Sequence, residues 1–102
     1  LKREDGKINF DESSFEQVFN LVRALYPWPG TYCFLNGKRL KVFHIEKSSF
    51  KLKPGQTDVS HGELLIGLKD TSIRLSDIQL EGKKRSSDRE LLNGFKTDLE
   101  LK

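Results

Sequence analysis

Two histidines (His44 and His61), one cysteine (Cys33) and scattered hydroxyls and carboxylates are the side chains through which this chain would make or break bonds. Their spacing argues against such work. A zinc site draws its ligands from pairs such as Cys-x-x-Cys or His-x-x-x-His, and neither spacing occurs. Nothing resembles the strained turn that presents a nucleophilic serine. Gly-Lys appears only in turn contexts, not in a glycine-rich phosphate loop. Asp11-Glu12 is a carboxylate pair, but it stands at the start of a predicted helix, where capping accounts for it. The residues read as a non-catalytic module that holds no metal and no cofactor.

The cations carry more information. Formal net charge is only +3, yet six bases and one acid fall between residues 38 and 53, and five acids and one base between residues 4 and 16. Such polarity steers a polyanion without a large net charge. Lys38, Arg39 and Lys41 follow Asn36-Gly37, Lys47, Lys51 and Lys53 come next, and Lys83, Lys84 and Arg85 form a separate cluster. Brought to one side, these cations track a nucleic-acid backbone, which gives affinity and salt dependence more than sequence reading. Tyr32 or Phe43, if exposed, would add a stacking face; buried, they are core.

These side chains need elements to position them. Phe15, Val18, Phe19, Val22 and Leu25 repeat at helical spacing, so a helix is predicted over residues 14–25. Ser14 and Gln17 form a capping-box pattern, and Asp11, Glu12 and Glu16 suit the positive end of the helix dipole. Pro27 disfavours helix at Tyr26, and Gly30 allows the chain to turn into a strand, so Pro27-Trp28-Pro29-Gly30 is a rigid corner, with Trp28 expected to wedge the helix against the sheet. Residues 31–35 and 38–46 read as strands joined by the type I′ signal Asn36-Gly37. Leu40, Val42 and His44 should share one face, and Lys41, Phe43 and Ile45 the other. Short strands are also expected over residues 7–10, 50–53, 63–68 and 73–80. Ser87 and Glu90 suggest a second capping box opening a short helix that ends near Gly94, with a tail from residue 96 expected to fray. Many short strands with turns between them predict a mainly β fold, a small barrel or sandwich.

At 102 residues the chain is one domain, residues 1–102. No apolar run approaches the ~20 residues of a membrane helix, and no signal peptide is visible. The first residue is Leu, from which a preceding segment is expected. A lone cysteine in an apolar run fits a buried small hydrophobe and a reducing compartment.

Four stretches then stand in order: Asp5-Gly6-Lys7-Ile8-Asn9-Phe10; Asn20-Leu21-Val22-Arg23-Ala24-Leu25-Tyr26-Pro27-Trp28-Pro29-Gly30; Asn36-Gly37-Lys38-Arg39-Leu40-Lys41-Val42; and Gln79-Leu80-Glu81-Gly82-Lys83-Lys84-Arg85. Together they resemble the C-terminal domain of the methionyl-tRNA formyltransferase family, over about residues 5 to 95. The resemblance implies a small OB-fold-like antiparallel β-barrel with one α-helix on its N-terminal side and a short C-terminal helix. It implies contact with initiator tRNA through a basic surface, for which Lys38, Arg39, Lys41, Lys83, Lys84 and Arg85 are the candidates. It also implies an N-terminal catalytic domain, outside this chain, which transfers a formyl group from 10-formyltetrahydrofolate to the methionine on that tRNA. The fragment alone would be inactive, without a cofactor, and cytoplasmic. Residues 48–62 match no family pattern. Sugar formyltransferases and formyltetrahydrofolate dehydrogenase carry comparable domains that serve interdomain packing; the late basic cluster favours the tRNA enzyme.

Overall fold

The computed structural model describes residues 3–95 and 99–102. Its most local prediction holds in atomic detail. The Ser14 hydroxyl accepts from the Gln17 amide at 3.2 Å, and the Gln17 side chain accepts from the Ser14 amide at 2.9 Å. Helix α1 (Phe15–Ala24) runs from this capping box, with Leu25 as its C-cap. Val18, Val22 and Leu25 are its buried side.

After the corner comes β1 (Thr31–Leu35), then β2 (Lys38–Ser48), joined at Asn36 (φ 49°) and Gly37 (φ 83°). Both central residues have positive φ, as a type I′ turn requires. Four more strands follow: β3 (Thr57–Asp58), β4 (Leu65–Gly67), β5 (Ser72–Leu80) and β6 (Ser86–Ser87). Helix α2 (Asp88–Asn93) closes the order, capped by the Ser87 hydroxyl on the Glu90 amide and ending at Gly94. The ladders are antiparallel, in the order β1-β2-β5-β4-β3 with β6 on β5, and the sheet curls into an OB-like half-barrel. The architecture is the expected mainly β one, with one helix before the sheet and a short one after it. Cys33, Leu35, Leu40, Val42, Leu64, Ile66, Ile73, Leu75 and Ile78 fill its core. Cys33 is fully buried, and burial pushes its thiol up to about 12.

Four local expectations change. The β2–β5 register shifts between Val42↔Ile78 and His44↔Asp77, and again before Ile45↔Leu75. This bulge turns His44 outward and brings Ile45 into the core. Residues 7–10 make one parallel bridge, Lys7 to Tyr32, before a 3₁₀ turn begins at Phe10. Residues 50–53 join no ladder. The Leu52 amide donates to the Ser72 hydroxyl, and the Lys53 carbonyl lies where a Gly67 Cβ would be, so the segment presses onto β4 as irregular backbone. The tail, within its described residues, is tied down: Phe34 and Lys102 exchange both backbone hydrogen bonds at 2.9 Å, and Leu101 is buried. Apolar contact and free strand-edge groups on β1 outweigh the sequence's lack of a pattern there. The rest of the expected fraying, at residues 96–98, lies outside the described residues.

Candidate nucleic-acid interface

The long pairing of β2 with β5 decides which cations meet. Leu40 stands opposite Leu80 and Lys41 opposite Gln79. Beyond that ladder the Glu81 amide donates to the Arg39 carbonyl at 2.8 Å, and the Arg39 amide donates to the Glu81 carboxylate at 3.3 Å. Gly82, at φ 82°, turns the chain, and β6 returns alongside β5. The hairpin cluster and the late cluster, over forty residues apart in sequence, therefore lie at one end of the same strand pair.

Their side chains differ in availability. Lys38, Lys41 and Lys84 are exposed. Arg39 is half-buried, with its guanidinium 4.2 Å above the Tyr32 ring. Lys83 reaches over Phe95 at 5.5 Å. Arg85 is already engaged. It donates to both Asp77 carboxylate oxygens, at 2.9 and 2.6 Å, and lies 4.1 Å over Phe43. That fork holds the Asp77 carboxyl below the usual carboxylate range, and Asp77 in turn raises Arg85. The pair is close to neutral, so Arg85 shapes the surface more than it charges it.

Lys47, Lys51 and Lys53 do not join this end. Lys47 is nine residues along β2 from Lys38, roughly 30 Å at ~3.3 Å per residue, and sits 4.9 Å over Phe15. Lys51 and Lys53 lie in the irregular segment against β4.

The aromatics also rearrange the expected picture. Tyr32 is buried beneath Arg39, and Phe43 is half-buried between Arg85 and the edge of Tyr26 (ring centroids 6.3 Å), so neither offers a free face. Trp28, expected as the wedge, is instead 64% exposed, and Tyr26 is 55% exposed. Val18, Val22 and Leu25 lock the helix to the sheet. The prolines on either side of Trp28 place it in a corner with no helix or strand face to carry its ring inward, and the Gly30 amide closes that corner on the Leu25 carbonyl at 2.8 Å. The exposure of Trp28 has a signal in the sequence, since a tryptophan flanked by two prolines has no helix or strand face to lie on. A groove of about 210 Å³ runs between the corner and β2, lined by Pro27, Trp28, Pro29, Tyr32, Arg39 and Lys41.

His44 is exposed, 3.9 Å from Glu46, and His61 packs on Phe50 with ring centroids 4.5 Å apart. Among the described residues no three metal-ligating side chains gather, and no helix is long and apolar enough to cross a membrane.

Residues 1–96 match the family described as formyl transferase, C-terminal domain. A methionyl-tRNA formyltransferase of Thermodesulfovibrio yellowstonii is 40% identical over 96 residues, which cover 94% of this chain and 31% of the relative. That of Geotalea daltonii is 41% identical over 98 residues, covering 94% of this chain and 31% of the relative. The chain thus spans about a third of the length of these relatives. Among solved structures, HypX from Aquifex aeolicus superimposes with a TM-score of 0.73 at 19% identity, over 96% of this chain and 20% of that one, a likeness of fold.

Proposed function

Because this chain belongs to the formyl transferase C-terminal domain family, we propose that it is the tRNA-binding module of a methionyl-tRNA formyltransferase. The observation that carries the reading is the β2–β5 register, which sets Lys38, Arg39 and Lys41 beside the turn bearing Lys83 and Lys84. Exposed cations on adjacent strand ends neutralise successive phosphates of a folded RNA. Backbone contacts of this kind position the partner and read little sequence. The domain holds the body of initiator tRNA while a catalytic domain of the parent protein takes the formyl group from 10-formyltetrahydrofolate. This module contributes neither the formyl donor site nor the reacting groups, and works in the cytoplasm, where tRNA is charged.

Titration of the chain with initiator tRNA across ~50 to 200 mM salt tests the proposal. The expected result is micromolar or tighter binding at low salt whose logarithm falls linearly with the logarithm of salt. No binding at ~50 mM salt, or binding without a slope, contradicts it and leaves the domain a packing element of its parent enzyme.

A further inference from the structure

We propose that the groove between the Pro27-Trp28-Pro29 corner and the Arg39–Lys41 stretch of β2 holds one unpaired nucleotide of a bound RNA. The inference rests on the tRNA-binding reading and names a site within it. Four observations converge there. Trp28 is 64% exposed, a large apolar ring that the described residues leave mostly uncovered. The groove's volume of about 210 Å³ is below the ~300–1,000 Å³ of a whole small-molecule pocket, so it suits one flat ring rather than a complete ligand. Arg39 presents its guanidinium to the same groove, held 4.2 Å above the buried Tyr32 ring, so its orientation is fixed before a ligand arrives. Lys41 lines the groove as an exposed cation, and among the described residues no carboxylate lines it; Glu81 meets Arg39 at its backbone, on the side facing β5.

The chemistry follows from these parts. Indole and guanidinium planes both stack on nucleobases, and every base has a π-face, so the slot accepts any of the four. Lys41 supplies the charge for the adjoining phosphate. A base inside a duplex has both faces covered by its neighbours, so the slot selects nucleotides that are single-stranded or splayed out. Thr31, which also lines the groove, commits its hydroxyl proton to the Val42 carbonyl at 2.8 Å and so does not donate to a base.

Trp28 is the only tryptophan of the chain, so its emission reports this groove alone. The 102-residue chain is titrated with a single-stranded ten-nucleotide RNA, with a blunt RNA duplex and with initiator tRNA. The single strand and the tRNA should quench Trp28 saturably, and the duplex should bind without quenching. Trp28→Ala should weaken single-strand binding on the order of tenfold, and Trp28→Phe much less, with the salt slope unchanged in both because no phosphate contact is lost. Salt-dependent tRNA binding with unaltered Trp28 emission and equal affinity in Trp28→Ala overturns the slot and leaves the tRNA reading standing. Absence of any RNA binding overturns both. Emission that responds to an attached catalytic domain and not to RNA makes the corner an interdomain contact, and also overturns the slot.

Discussion

Two aspartates show how one side chain takes different roles by its surroundings. Asp88 is fully buried, yet it accepts from Arg74 Nε and Nη2 and from the Leu64 amide, all at 2.9 Å. Arg74 also pairs with Glu63 at 3.1 Å, so α2, β4 and β5 are held by one network. Burial pushes the Asp88 carboxyl up, but these donors outweigh it and hold the carboxyl below its ordinary value. Replacing Asp88 with Ala leaves the partly buried Arg74 guanidinium with Glu63 alone and the Leu64 amide without its acceptor, and should cost about 3 kcal/mol in a urea titration. Because the folded carboxyl titrates lower than the unfolded one, its stabilisation is complete above the unfolded value of ~3.9 and disappears as pH falls through the folded value. The urea midpoint of the wild-type chain should therefore hold steady from neutral pH to about pH 5 and drop below about pH 4, with a shallower drop in Asp88→Ala. Asp77 is the opposite kind of residue, a surface carboxylate that occupies the Arg85 fork. Asp77→Asn should free that charge and tighten RNA binding, whereas Arg85→Ala should weaken it less than Lys41→Ala; equal losses for the two cations would show Arg85 to be a direct contact.

Among the elements, those specified by neighbours in sequence were legible, and those specified by distant partners were not. Helix α1 declares itself through Ser14, Gln17 and its apolar period, and the β1–β2 hairpin through Asn36-Gly37. Ser14→Ala should cost about 1 kcal/mol, read as a lower thermal midpoint. The bulge that exchanges His44 for Ile45, the collapse of residues 50–53 onto β4, and the capture of Leu101 by β1 each depend on a partner tens of residues away, which no local pattern announces. Gly67 marks one of these contacts. A Cβ there meets the Lys53 carbonyl, a backbone atom with no room to yield, so Gly67→Ala should destabilise by about 1–3 kcal/mol. An unchanged unfolding midpoint would mean that the segment is not pressed on β4. Of the candidate interface, the six cations were legible as two clusters. Their adjacency comes from the β2–β5 register, and the exposure of Trp28 from a corner whose two prolines leave its ring no element face to follow inward.

On the scale of the whole molecule, the proposed surface is one local cluster: Lys38, Lys41, Lys83 and Lys84 are exposed where β2 and β5 end at the hairpin, while the exposed Lys47, Lys51 and Lys53 lie elsewhere. Clustered cations of this kind steer a polyanion before contact. The central claim is that the hairpin and the late loop act as one phosphate-binding surface, and its most direct test is the salt dependence of initiator tRNA binding with Lys38, Arg39, Lys41, Lys83 and Lys84 replaced by Ala, singly by cluster and together. The account expects each cluster to lower the slope by about one for each phosphate contact removed, the combined variant to lose the sum, and the thermal midpoint to stay near wild type. A combined variant that binds tRNA with wild-type affinity and wild-type slope would contradict it.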